Sequence, residues 1–296
     1  MTSAPQDFAG RDIGGTAYEL AEGAIYEPDG DTAWWLDILD RTLVEYRIGE
    51  DRLTTHALPM MASALARIDG ERHVIVSEDG LCVRQKKSGT MSRYMEIESD
   101  TDATRSNDSR VHPCGALWTS TMGKHAEDGA GSIYHVFEGK LTRLFTRISI
   151  PNAICFSADG ATGYFTDTRI GDIMRVDLDP QTGRPTGEPQ VFAPHDSAPG
   201  NADGAVVDAH GNLWNARFGA GIVAVYAPDG SLSRTVDIPA GQATCPAFVG
   251  ADADRLIVTS AFEGMDESAR SKDPLAGHVF MPDISVEGRL DPIMRL

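Results

Sequence analysis

No apolar run in the sequence approaches the ~18–20 residues that a membrane-spanning helix needs, and the opening Met1-Thr-Ser-Ala-Pro-Gln-Asp-Phe8 has no basic segment leading into an apolar one. Neither membrane insertion nor secretion is signalled, so a cytoplasmic location is expected. Positive charge is scarce: 26 Lys and Arg stand against 44 Asp and Glu, a formal net charge of −18 in 296 residues. Because clustered Lys and Arg dominate phosphate binding, no nucleic-acid partner is expected. Cys82, Cys114, Cys155 and Cys245 are widely separated, with no C-x-x-C pair and no histidine at zinc-finger spacing. They read as reduced thiols in apolar strands. A long apolar stripe at i, i+3, i+4, i+7 is missing as well, which argues against a helical fold.

What is present is a repeat. Ala24-Ile-Tyr-Glu-Pro-Asp-Gly30 returns as Ile154-Cys-Phe-Ser-Ala-Asp-Gly160 and Val206-Val-Asp-Ala-His-Gly211, and more loosely before Gly70, Gly115 and Asp254, each time followed by a short β-type run. The six anchors are 40, 45, 45, 51 and 43 residues apart, enough for about four short strands per unit. Such units predict an all-β, six-bladed β-propeller over residues 1–296, with four-stranded antiparallel blades around a central channel. Aromatic residues are only 7% of the chain, yet Trp34, Trp35, Trp118, Tyr164 and Trp214 recur just after an anchor, the place for wedges between blades.

The repeat also acts as a ruler. Eight residues before each anchor stand Glu22, Ala62, Asn107, Asn152, Asp203 and Pro246. If the first strand of each blade is innermost, four side-chain oxygens form one tier at the channel mouth, where Glu22, Asn152 and Asp203 converge. Two carboxylates and two amides without a thiolate suit one divalent cation: Ca²⁺ first, with Mg²⁺, Mn²⁺, Zn²⁺ or Fe²⁺ also accommodated. Arg105, two residues before Asn107, shares its strand face and either forks onto substrate oxygens or neutralises Glu22 and Asp203. His125 falls near the mouth, whereas His112 and His210, beside anchor glycines, are expected as solvated turn residues.

These residues resemble the family of gluconolactonase, senescence marker protein (regucalcin) and luciferin-regenerating enzyme. The resemblance runs through Ala21-Glu-Gly-Ala24, Trp35-Leu-Asp-Ile38, Arg105-Ser-Asn-Asp-Ser-Arg-Val-His-Pro113, Pro151-Asn-Ala-Ile-Cys-Phe156, Ala202-Asp-Gly-Ala-Val-Val-Asp208 and Thr244-Cys-Pro-Ala-Phe248, over nearly the whole chain. It implies a six-bladed propeller, one divalent metal on residues matching Glu22, Asn152 and Asp203, substrate binding by Arg105 and Asn107, and hydrolysis of sugar lactones. The chain departs from the pattern at Ser109 (usually Gly), Ala202 (usually Pro) and His125, where some relatives place an acidic, substrate-contacting residue.

The expected reaction is therefore metal-dependent opening of an aldonolactone such as glucono-, xylono-, arabinono- or galactonolactone. The metal polarises the carbonyl, Arg105, Asn107 and His125 contact the sugar, and Asp203 deprotonates the attacking water. Two alternatives remain: an organophosphate-type hydrolase on the same scaffold, and a non-catalytic calcium- or ligand-binding propeller. A closed ring needs no partner, so a monomer acting on a small-molecule sugar lactone is expected.

Overall fold

Every anchor of the repeat falls in the turn between the first and second strands of an antiparallel sheet, and there are six such sheets. The computed structural model describes residues 8–296. The first strands of blades I to VI are Ala21–Glu27, Ala62–Arg67, Thr104–Val111, Pro151–Phe156, Asn201–Val207 and Ala243–Val249. Each packs against the first strands of both neighbours, closing the ring and making these strands innermost. The chain is an all-β, six-bladed β-propeller.

Two features of the blades depart from simple repetition. In blade IV, Ile173–Asp179 pairs with both Arg184–Pro185 and Gln190–Ala193. In blade VI the outermost strand comes from the other end of the chain: Gly10–Ile13 pairs with Val279–Pro282, in register from Gly10↔Pro282 to Ile13↔Val279. The ring is thus fastened by hydrogen bonds between its first and last strands.

The aromatic wedges are buried where the sequence places them. Trp35, Trp118 and Trp214 are almost fully enclosed; Trp118 meets Phe156 of the next blade edge-on at 5.3 Å, and Trp214 meets Phe248 likewise at 5.9 Å. Removing one buried wedge of this kind costs about 3–5 kcal/mol. Blades are therefore held to each other by aromatic contacts, and the strands within a blade by their ladders.

All four cysteines are free, but Cys114 is only half-buried. The expectation of a solvated His112 is overturned: the ring is fully buried, its Nε2 is 2.9 Å from Gly160 O, and its Nδ1 accepts from Cys114 N at 3.1 Å. The polar turn of the next blade supplies the acceptor that lets an imidazole be buried there. His210 is exposed, as expected, beside Glu287. Among the described residues the single α-helix is Glu267–Lys272, and none of their helices is long and apolar enough to cross a membrane.

The segment 284–296 crosses the anchor-turn end of the ring. Val286 N donates to Asp254 O, Ala209 N to Glu287 O, Met294 N to Arg67 O and Arg295 N to Gly115 O, so one strap touches four blades. Arg289 Nη1 adds a fifth through Phe156 O at 3.2 Å. The far end of the channel is thereby covered, and the end where the first strands begin is left to accept ligands.

Candidate active site

Each first strand is interrupted near its start by an irregularity in its pairing with the second strand. In blade I the interruption follows Glu22↔Leu36, and in blade IV Asn152↔Thr166. The next residues, Gly23 and Ala153, take left-handed backbone angles, φ 62° and 55°. Glycine is required at the first: a Cβ on Gly23 would lie 2.3 Å from Ser63 O. Such bulges bend the strand and re-aim its side chains, here toward the axis.

The eight-residue ruler holds in effect but not in register. Four residues separate Glu27 from its partner Thr32, whereas five separate Val111 from Leu117 and Val207 from Leu213. In blades III and V the same count therefore lands one residue further along, inside the bulge. Asn107 and Asp203 sit there, while Glu22 and Asn152 end the regular pairing. Bulge and turn compensate, and all four reach one cavity of about 540 Å³. Ala62 and Pro246 do not line it.

A hydrogen-bonded belt runs across blades III, IV and V. Arg105 Nη1 donates to Asn107 Oδ1 at 2.9 Å, and Asn107 Nδ2 donates to Pro151 O at 2.9 Å and to Asn152 Oδ1 at 3.0 Å. Asn152 Nδ2 donates to Thr168 Oγ1 at 2.9 Å, and that hydroxyl donates to Ala202 O at 2.7 Å. The Thr168 proton is committed to Ala202, so Thr168 acts only as an acceptor toward Asn152. The Asn152 Nδ2 is fixed on that side and its Oδ1 on the other, where a lone pair stays free for a ligand. Thr168→Val should leave Asn152 free to flip and lower divalent-cation affinity about 10–100-fold, as losses of ligand-orienting partners do. Titration calorimetry with Ca²⁺ reads this, and wild-type affinity would remove the belt from the account.

Asp203 is held just as firmly. Asn215 Nδ2 donates to Asp203 O at 2.7 Å, and Arg217 Nη2 donates to Ala198 O at 2.8 Å and to Gly200 O at 2.7 Å, fixing the loop that delivers the strand. The motif aspartates work likewise on the chain entering the first strands. Asp37 accepts from Glu19 N at 2.9 Å and Leu20 N at 3.1 Å; Asp167 accepts from Ser149 N at 2.8 Å and Ile150 N at 3.1 Å.

The charges at the floor are crowded. Burial raises the Glu22 carboxyl above the usual range, and the Asp108 charge adds to this against Gly23 N–H, Arg105 and Arg110. Asp203 is raised well above its ordinary value, first by burial and then by Glu22, Asp108 and Glu263, with Glu22 within hydrogen-bonding reach. Asp108, in the bulge beside Asn107, was not singled out by the sequence; its carboxylate accepts from Ile154 N at 2.7 Å and Ser109 N at 2.8 Å. Among the described residues no group of three or more His, Cys, Asp or Glu is gathered closely enough to hold a metal ion. The set at the mouth instead joins two repelling carboxylates to an oriented amide oxygen, and a hard divalent cation fits it by relieving that repulsion.

The remaining walls of the cavity are mixed. Leu20, Met122, Ile150 and Phe218 form an apolar arc, and Lys124, His125, Asn201 and Glu263 stand with them. His125 is exposed, with its backbone N–H on Glu127 Oε2 at 3.1 Å. Asn107 has both amide hydrogens committed to the belt, so one lone pair on Oδ1 is what it still offers to a ligand. Ser109 spends its hydroxyl within the strand pair, on Thr119 Oγ1 at 2.9 Å.

Fold and cavity together define a propeller with an oxygen-lined cavity at one end of its axis. Residues 20–262 match the sequence model of the SMP-30/Gluconolactonase/LRE-like region, and the chain belongs to that family. It is 50% identical over 98% of both chains to a Rhizobium meliloti protein whose name marks it as a candidate sugar lactone lactonase. It is 32% identical to the L-arabinolactonase of Azospirillum brasilense, covering 90% of this chain and 89% of that one. Among solved structures, the calcium-binding protein regucalcin from Agrobacterium tumefaciens superposes with a TM-score of 0.96, at 50% identity and 98% coverage of both chains.

Proposed function

We propose that this protein hydrolyses a neutral sugar lactone to its aldonic acid, using a divalent cation held by Glu22, Asn152 and Asp203. The observation that carries the reading is the convergence of these three side chains with Arg105 in one cavity at the open end of the channel. A cation bound there supplies Lewis acidity at the lactone carbonyl. The chain's own groups do the rest. Asp203 takes the proton of the attacking water, because its carboxylate lines the cavity where that water would sit and can reach both the water and the cation. Arg105 and the free lone pair of Asn107 hold sugar oxygens, and the apolar arc covers the C–H faces of the ring. The belt through Asn152 and Thr168 keeps these groups in place before the substrate arrives, so little reorganisation remains.

The lactonase names of the Rhizobium and Azospirillum relatives support this reading. The test is proton release from a panel of aldonolactones by metal-stripped protein reloaded in turn with Ca²⁺, Zn²⁺, Mn²⁺, Mg²⁺ or Fe²⁺. Turnover should vanish on chelation and return with at least one ion, Ca²⁺ being favoured by the all-oxygen set. The calcium-binding description of the Agrobacterium structure favours one second reading, a propeller that binds calcium without catalysis. Tight Ca²⁺ binding with no proton release from any lactone would select it.

A further inference from the structure

Across the mouth from each other stand loops of blades III and VI, and they bring charges of opposite sign to the cavity: Lys124, next to His125, from the first and Glu263 from the second. Lys124 is engaged, its Nζ 2.7 Å from a Glu78 carboxylate oxygen. Glu263 is half-buried, yet among the described residues its carboxylate has no hydrogen-bond or ion-pair partner; only its backbone carbonyl is used, accepting from Gln242 Nε2 at 3.2 Å. Its charge acts across the cavity on Arg105. Arg105 commits Nη1 to Ser106 O and Asn107 Oδ1, each at 2.9 Å, and its other nitrogens have no protein partner among the described residues.

The cations around the floor thus each have an acid: Lys124 has Glu78, Arg110 has Asp291, and Arg105 faces Glu22 and Glu263. Of the cavity-lining cations, Lys124 is spent on Glu78 and Arg105 lies in the field of neighbouring acids, which weakens the attraction for an anionic group on the substrate. A free carboxylate accepts hydrogen bonds from hydroxyl donors and repels anions.

We infer that Glu263 is the specificity-determining residue of this pocket, its carboxylate accepting hydrogen bonds from the hydroxyls of a neutral, polyhydroxylated lactone and turning away lactones with an anionic substituent. The inference rests on the lactonase reading and deepens it by naming the substrate class and the residue that selects it. The same charge opposes retention of the aldonate product, which gains a carboxylate when the ring opens.

The test uses cation-loaded wild type, Glu263→Gln and Glu263→Lys with arabinonolactone, which is neutral and hydroxylated, and glucarolactone, which carries a free carboxylate. In Glu263→Gln the KM for arabinonolactone should rise about tenfold, with the loss carried by KM rather than kcat, as when a charge-assisted hydrogen bond is replaced by a neutral one. In Glu263→Lys the ratio of kcat/KM for glucarolactone to that for arabinonolactone should rise about tenfold or more. Each ratio is taken within one preparation, so partial loss of folded protein cancels. If the KM and the ratio both stay at wild-type values while wild type turns over arabinonolactone, the inference about Glu263 is overturned and the lactonase reading stands. If wild type releases no proton from either lactone with any cation, the lactonase reading itself falls.

Discussion

Replacing Asp203 with asparagine is expected to lower kcat/KM for the lactone about a thousandfold or more, while the cation-free fold stays at least as stable as wild type. The first half follows from the role proposed for the carboxylate. An amide of nearly the same shape cannot accept the proton of water, and loss of a positioned base alone costs about 10²–10⁴-fold. It also removes one of the two negative charges that suit the site to a divalent ion. The second half follows from Asp203 being buried against Glu22, with Asp108 near enough to add to the repulsion. Neutralising one of these acids relieves that repulsion, a trade of stability for activity that strained sites commonly make. The measurements are initial rates at saturating cation and thermal melts in chelator. A variant that keeps near-wild-type rates sinks the assignment of Asp203. One that loses rate because it melts well below wild type makes the residue structural.

The blades were legible because their signals are local. An Asp-Gly turn and the short β-run after it are written in a dozen adjacent residues, and six copies at similar spacing leave few other folds. Glu22, Asn107, Asn152 and Asp203 were legible for a related reason, since equivalent offsets in a closed repeat must face one axis. The offset missed the one-residue difference in turn length between blades I and III, which only the pairing reveals. Thr168, Asn215 and Arg217 carried no signal: each is an ordinary polar residue in a second-strand region or the loop beyond it, and its role arises from a backbone carbonyl or an amide brought close by folding. Glu263 carried no signal either, because nothing in Glu263-Gly-Met-Asp-Glu267 shows which acid turns inward. The closing strand Gly10–Ile13 was missed because its partner lies at the other end of the chain.

Arg110 is the residue whose loss should cost the most stability, and it too had no assigned role in the sequence. Its guanidinium is buried on the channel axis beneath the site. Nη1 is 3.4 Å from Ala24 O and Nη2 is 3.4 Å from Ala205 O, the carbonyls two residues beyond Glu22 and Asp203. Nη1 also lies 3.3 and 3.4 Å from the two carboxylate oxygens of Asp291, on the strap that covers the far end of the channel. Burial opposes the charge, but the Asp291 carboxylate, with Cys245 and Asp108 behind it, raises the guanidinium pKa still further above its ordinary value. One side chain thus links blades I, III and V to the C-terminal strap. Arg110→Met keeps most of the bulk, so little cavity forms, but Asp291 and Asp108 are left without their counter-charge. Breaking a buried pair from one side costs about 3–5 kcal/mol, and that is the expected fall in unfolding free energy by denaturant titration. Adding Asp291→Asn should return part of the loss, with a coupling of about 1–3 kcal/mol in the double-mutant cycle. Such coupling is expected because removing both charges avoids the unpaired acid that makes the single change costly. Arg110→Met at wild-type stability, or a double variant whose losses simply add, would show that the axis is held by the blade wedges alone and that the strap does not act through Arg110.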